Sequence, residues 1–358
     1  MKKKLYLLIL IGLFITKIQA QDLSLTWAKG IGGTMNDQGK SIAVDATGNV
    51  YTTGIFSGTV DFDPSTIVIN LTSTGLTDIF ITKQDPMGNL VWAKTMGGTS
   101  DDVSNAIFID IIGNIYITGS FKNIVDFDPN SGIVNITSIG ASDIFITKLD
   151  VNGSLVWAKA MGGIGDDMGT SLAVDANGSV YTIGQFIDIV DFDPNIGSVT
   201  LISAGNLDIF ISKLDASGNF VWAKAMGGIN NEFGQSIAID TIGNIYITGI
   251  FSGTVDFDPN IIVANLISAG ITDTFITKLD ATGNLIWAKS IGGLGFDQSY
   301  SITLDASNNV YTTGYFSGTA DFDPSIGVTS LTSNGFEDIF ISKLDASGNF
   351  IWAKAMGG

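Results

Sequence analysis

The sequence predicts an all-β fold assembled from repeated four-stranded sheets, and three features of its 358 residues lead there. Trp27, Trp92, Trp157, Trp222, Trp287 and Trp352 stand 65 residues apart, each opening a Trp-Ala-Lys run that ends in a Gly-Gly pair such as Gly97-Gly98. Asp-Phe-Asp-Pro recurs at the same interval, starting at Asp61, Asp126, Asp191, Asp256 and Asp321. Between these markers lie short runs rich in β-branched and aromatic residues, bounded by glycine, asparagine and aspartate. A fixed period of this kind means an array in which each unit covers its neighbour's apolar face. The chain holds five units, preceded by one extra Trp strand at residues 23 to 29.

The N-terminus comes before the array. Lys2, Lys3 and Lys4 precede an apolar stretch from Leu5 to Ile15, and Ile18-Gln19-Ala20 forms a cleavage site ahead of Gln21. This reads as a signal peptide over residues 1–20, with the mature repeat domain over 21–358. The apolar stretch of 11 residues is short for a membrane anchor, so the mature chain is expected to be secreted or displayed at the cell surface with no transmembrane segment. No cysteine is present, which removes both disulfides and a lipid-modified cysteine.

Within one unit the pattern predicts two hairpins. Ser41–Asp45 turns through Ala46-Thr47-Gly48-Asn49 into Val50–Gly54, and Asp78–Lys83 turns through Asp85-Pro86-Met87-Gly88-Asn89 into Leu90–Lys94. In Asp-x-x-Gly-Asn the aspartate accepts hydrogen bonds from turn amides, and glycine supplies the positive φ. The segment between the hairpins, from about Ile55 to Thr77, contains Asp-Phe-Asp-Pro and a fifth candidate strand at Ile67–Leu71. Consecutive apolar residues, as in Ile79-Phe80-Ile81 and Leu90-Val91-Trp92, predict strands covered on both faces. The Gly-Gly pairs are expected where the chain leaves the Trp strand for the next unit.

Four-stranded sheets covered on both faces by their own copies predict the blades of a β-propeller, with a stacked β-solenoid as the alternative. Gly358 falls on a marker after which every earlier unit continues, so the expectation is a piece of a longer chain and an incomplete or open ring. The extra Trp strand would close such a ring by pairing with a further unit.

The run from Gly165 to Gly184, Gly-Asp-Asp-Met-Gly-Thr-Ser-Leu-Ala-Val-Asp-Ala-Asn-Gly-Ser-Val-Tyr-Thr-Ile-Gly, resembles the SBBP β-propeller repeat of exported bacterial proteins. Asp143–Asp150 and Trp157–Gly163 resemble the second half of that repeat. The likeness covers essentially the whole mature chain and implies a propeller fold and a surface location more than an activity. Val-Asp-Phe-Asp-Pro departs from the looser Phe-Pro segment of other copies, so no loop function carries over.

Composition excludes several function classes. The mature chain sets thirteen lysines against 35 acidic residues, a charge of −22, and lacks both histidine and arginine. Such a surface repels nucleic acid and favours cations. Without histidine or arginine it also lacks the commonest general base, the commonest zinc ligand and the bidentate phosphate clamp. Gly30-Ile31-Gly32-Gly33 follows a strand but leads into another strand, so it is no nucleotide-binding loop.

The candidate site residues are the aspartate pairs Asp61 and Asp63, Asp126 and Asp128, Asp191 and Asp193, Asp256 and Asp258, and Asp321 and Asp323. Two carboxylates one residue apart on an extended segment project to the same side and suit a weak calcium site. The competing reading makes one a cap for the proline turn and leaves the other on the rim. Paired carboxylates also serve glycoside hydrolysis. Their recurrence in five equivalent units argues against a unique active centre. Residues that break the repeat are Lys40, Lys122, Glu232, Phe296 and Glu337. The acidic position held by Asp37, Asp102, Asp167, Glu232 and Asp297 is expected to bind backbone amides at the crossing between units. Each Trp reads as a core residue, and the repeated lysines as edge guards or partners of aspartate.

The expected function is therefore binding, adhesion or scaffolding outside the cytoplasm, with an extracellular protein or glycan as partner. No enzyme activity and no required cofactor are expected, calcium being the one candidate ion. A carbohydrate-active enzyme using the carboxylates of one blade, or a structural spacer, are the alternatives.

Overall fold

The computed structural model describes residues 25–260 and 262–358; the expected signal peptide, residues 1–20, lies outside the described residues. In the first unit β1 (Gln38–Val44) pairs with β2 (Val50–Phe56), β2 with β5 (Asp78–Gln84), and β5 with β6 (Leu90–Gly98), all antiparallel. Between β2 and β5, β3 (Thr59–Asp61) and β4 (Asn70–Thr72) form a short hairpin of their own. The same pattern recurs in every unit, giving five blades. In the fifth, the second and third blade strands run on into the short hairpin as Val310–Asp321 and Ser330–Leu344.

Turn chemistry fixes the hairpins. Asp85 Oδ1 accepts the amides of Met87 and Asn89, both at 2.9 Å, and Asn89 Nδ2 donates to Asp85 Oδ2 at 2.9 Å. Gly88, at φ 77°, takes the left-handed residue of that turn. In the fifth blade Asn308, at φ 59°, replaces the glycine found at this place in the other first hairpins, a substitution asparagine tolerates better than most residues.

Two expectations are corrected. The strand expected at Ile67–Leu71 lies at Asn70–Thr72, because Asp61 Oδ1 takes the Ile69 amide at 2.8 Å and bends the preceding residues into a loop. Gly97 and Gly98 stand where the Trp strand ends, but as paired strand residues and not as the sharp crossing itself. They are its last two residues and pair with Asp126 and Val125 of the next unit's short hairpin. Glycine is required there because a Cβ on Gly98 would fall 2.1 Å from the Ile124 carbonyl oxygen.

Blade stacking decides between the two architectures. A solenoid would run its hydrogen-bond ladder from unit to unit, whereas here the ladder runs within each unit apart from the two-residue link at Gly-Gly and single bridges such as that of Thr77 with Asp101. The first strands of successive blades lie against one another, and each second strand faces the first strand of the next blade. The blades are those of a β-propeller. Polar ties cross the stack: Ser104 Oγ donates to Gly54 O at 3.0 Å and accepts from Thr53 Oγ1 at 2.8 Å, and Thr248, Gly249 and Ser299 repeat the arrangement.

Each blade is packed around three phenylalanines. Phe62 meets Phe56 edge-on at 5.3 Å and Phe80 at 5.2 Å, and the trio recurs in all five blades. The two end faces lack this mutual cover. Ile339 on the fifth blade is 53% exposed, while its equivalents Ile79, Ile144 and Ile209 are 0% exposed. Ile42 on the first blade is 66% exposed against 7% for Ile107. The extra Trp strand expected at residues 23 to 29 forms no strand over its described residues 25–29, yet Trp27 takes the place of a preceding blade's tryptophan: its Nε1 donates to Pro86 O at 3.1 Å, as Trp157 does to Ala216 O at 3.2 Å.

Candidate functional site

Asp-Phe-Asp-Pro is an anchor for the short hairpin. Its phenylalanine is the central ring of the blade's trio, so the segment is held by burial of an aromatic. Asp61 Oδ1 accepts the amides of Asp63 at 3.1 Å and Ile69 at 2.8 Å, while Asp63 Oδ1 accepts the amide of Ser65 at 2.9 Å. The other units repeat these bonds, with Asp126, Asp191, Asp256 and Asp321 taking two amides each and Asp128, Asp193, Asp258 and Asp323 one. The carboxylates thus serve as turn caps, and each pair adds two acids to a loop that brings in no third. Among the described residues no cluster of three or more acidic side chains has the spacing of a metal site.

The lysines take a place the sequence did not reveal. Lys83 Nζ lies 5.0 Å from the centre of the Tyr51 ring, and the equivalent lysine of every later blade sits over the matching tyrosine. Several reach on to the neighbouring blade: Lys148 Nζ donates to Ala216 O at 3.3 Å and Lys278 Nζ to Ala346 O at 3.1 Å. Only Lys213 and Lys343 add the aspartate partner that was expected, at 4.0 and 3.3 Å. The tryptophans are partly buried rather than fully enclosed, and the five from Trp92 to Trp352 are each set edge-on to the tyrosine of their own blade.

The acidic residues at the crossings do bind amides. Asp102 Oδ2 accepts from Gly98 N at 2.7 Å and Oδ1 from Lys122 N at 3.2 Å, and Glu232 Oε2 accepts from Gly228 N at 2.9 Å in the same role. The other pattern-breaking residues are spread over the first, second and fifth blades. Lys40 and Glu337 are exposed at opposite ends of the array, Lys122 faces Asp166 at 3.8 Å, and Phe296 lies exposed before the fifth blade. Phe296 and Glu337 meet at Ser317, which bonds the Phe296 backbone and pairs with Glu337, while Lys40 and Lys122 lie in other blades.

One surface feature does break the symmetry. Ile139, Ile164, Ile189 and Ile202, all exposed, line a groove of about 570 Å³ between the second and third blades, floored by Gly162 and Gly163. The equivalent positions are Thr74, Thr99, Ile124 and Thr137 one junction earlier, and Ala204, Ile229, Thr254 and Ile267 one junction later. Four isoleucines gather only at this junction. No periodicity could single them out, because each is an ordinary residue of its strand or loop and only the fold places them together.

No family model matches the chain. Over 95% of the chain it is 28% identical to an uncharacterized WD repeat-containing protein, L264, of Acanthamoeba polyphaga mimivirus. Over 87% of the chain it is 23% identical to the regulatory protein FlaEY of Caulobacter vibrioides. The chain spans about a third of the length of these curated relatives, 29% of the first and 33% of the second. Among solved structures, a protein of unknown function from Bacteroides caccae aligns over 80% of this chain and 92% of its own, at 10% identity and a TM-score of 0.35. The extracellular domain of a hybrid two-component system from B. thetaiotaomicron aligns over 90% of this chain and 49% of its own, at 14% identity and a TM-score of 0.17. The comparisons name no SBBP family. The likeness to a WD repeat-containing protein along nearly the whole chain agrees with the blades described above: this is a repeat protein built of β-propeller blades.

Proposed function

We propose that the mature chain is an exported module for binding or scaffolding, secreted or held at the cell surface, and that it performs no catalysis. The groove of Ile139, Ile164, Ile189 and Ile202 carries this reading, as an apolar surface bordered by Asp188 and Asp191 on a strongly acidic protein. It contains no aromatic platform on which a sugar ring could stack, so it suits apolar side chains of an extracellular protein better than a glycan. Support for the absence of catalysis comes from the aspartate pairs, which cap backbone amides in the same way in all five units.

The test is binding of labelled mature chain to envelope proteins and cells of the producing organism, compared with an Ile189→Asp/Ile202→Asp variant. Both positions are exposed, so the variant is expected to keep the circular dichroism and melting temperature of the parent while losing most of its binding. Equal binding by the two proteins would refute the groove. Release of reducing ends from a polysaccharide panel would favour the enzyme reading, and no binding to any surface the spacer.

A further inference from the structure

Four junctions between neighbouring blades each bury two acidic side chains. Asp78, which begins β5, is 1% exposed, and Asp102, in the crossing to the second blade, is 0% exposed. Asp143 with Asp167, Asp208 with Glu232, and Asp273 with Asp297 repeat the pair, all of them buried. The two members are not equivalent. Asp102 has both oxygens occupied by the amides of Gly98 and Lys122. Asp78 accepts the Thr74 amide at 2.9 Å through Oδ2, while its Oδ1 is buried without any hydrogen-bond partner. The same oxygen is unpartnered in Asp143, Asp208 and Asp273, as is Oε1 of Glu232. A Cβ on Gly97 would fall 2.2 Å from the Asp78 carboxyl carbon, so the carboxyl lies directly on the backbone of the Trp strand.

No cation sits beside these groups. None of the three ion pairs among the described residues involves a junction carboxyl. The neighbouring ionisable side chains add mostly negative charge: Asp101 bonded to Thr77 at the first junction, and Asp166 bonded to Ser142 at the second, with Lys122 Nζ 3.8 Å from Asp166. At the third junction Asn231 replaces the aspartate, and at the fourth Tyr315 lies near Asp297. A buried carboxylate oxygen with neither donor nor cation is costly, and two buried carboxyls side by side cannot both ionise cheaply.

We propose that the four carboxyl pairs form a proton-dependent latch between blades, each junction holding one proton while the blades are stacked and loosening when that proton is lost. Burial pushes Asp102 up to about 7, against the amides of Lys122 and Gly98 and with the charge of Asp78 adding to the rise. Burial likewise takes Asp167 and Glu232 to about 7, and Asp208, Asp273 and Asp297 to about 6. The proton belongs to each pair rather than to one residue. These groups hold protons more tightly in the folded array than in the unfolded chain. Their stabilisation is therefore complete below about pH 4 and is lost as the pH rises through 6 to 7.

The test is the melting temperature of the mature chain from pH 5 to 8 at constant ionic strength. Beside it runs a variant carrying Asp78→Asn, Asp143→Asn, Asp208→Asn and Asp273→Asn. Asparagine keeps the acceptor for the Thr74 amide and places an N–H donor where Oδ1 now stands unpartnered, copying the protonated form. The parent should melt lower at pH 8 than at pH 5, by about 5 °C or more, while the variant, which keeps Asp102 and its equivalents, shows a shallower profile and melts above the parent at pH 8. If the fourfold variant does not fold, Asp208→Asn alone, with the parent profile, makes the same comparison at one junction. A flat parent profile, or an unchanged slope in the variant, overturns the latch. So does recovery of the pH 5 melting temperature at pH 8 on adding millimolar calcium, since a metal ion would then supply the missing charge.

Discussion

Replacing Phe192 by alanine and, separately, Asp191 by alanine sets the two parts of Asp-Phe-Asp-Pro against each other in the central blade. Phe192 is fully buried, edge-on to Phe186 at 5.5 Å and tilted against Phe210 at 5.0 Å. Its removal leaves a cavity enclosed by the two rings that remain, so the loss is about 3 to 5 kcal/mol. Asp191 Oδ1 holds the amides of Asp193 at 3.1 Å and Val199 at 2.8 Å, both at a partly buried turn that water can reach when the cap is gone. Its loss costs about 1 to 2 kcal/mol. Urea unfolding followed by tryptophan fluorescence reads both, with the midpoint of the main transition compared because an array need not unfold in one step. A larger loss for Asp191→Ala than for Phe192→Ala would refute the reasoning, because the segment would then act through its carboxylates and not through its ring.

Three further outcomes follow from the same structure. Millimolar calcium, compared with chelator, should leave the melting temperature of the mature chain unchanged, since the aspartates from Asp61 to Asp323 are engaged as turn caps; a concentration-dependent rise would return them to ion binding. Ile339→Asp should be tolerated within about 1 kcal/mol because the residue is exposed, whereas Ile209→Asp at the equivalent covered position should abolish folding, as read by circular dichroism. Asp280 gives the acid limb: burial raises its pKa, but the Asn284 amide, the Thr282 hydroxyl and the Asn284 side chain outweigh it and hold the group at about 2. Its folded value is depressed, so this contribution is present above about pH 4 and fades as the pH falls towards 2. The slope of melting temperature between pH 4 and 2 should therefore flatten in Asp280→Ala.

Much of the fold was legible because the repeat carries its own turn chemistry. Asp85 and Asn89 with Gly88 between them specify a tight hairpin wherever they occur, and the doubly apolar run at Ile79-Phe80-Ile81 announces a strand covered on both sides. The acids at the crossings, Asp102 and its equivalents, were legible by the same local logic. What the sequence hid depends on contacts between units. Gly97 and Gly98 resemble a break in the chain until Val125 and Asp126, from the following unit, are seen to pair with them. Lys83 looks like an edge charge, and only the register Lys83 to Tyr51 places it over a ring. Asp78 begins a strand as a polar residue should, and its burial comes from its own blade and the glycine beneath it, since Asp338 of the last blade is buried in the same way. The isoleucine groove draws one residue from each of four segments, so no local window contains it.

The central claim is that the blades stabilise one another by stacking, with the inner blades covered on both faces and the two end blades on one. Amide hydrogen exchange resolved by strand tests it most directly. Slow exchange is predicted for Met168–Val174 and Asp208–Leu214 in the third blade, with markedly faster exchange for Gln38–Val44 in the first and for the outer strand Phe350–Met356 of the fifth. Equal protection of Gln38–Val44 and Met168–Val174 would contradict it, because an uncovered strand would then be as stable as one enclosed between two neighbours.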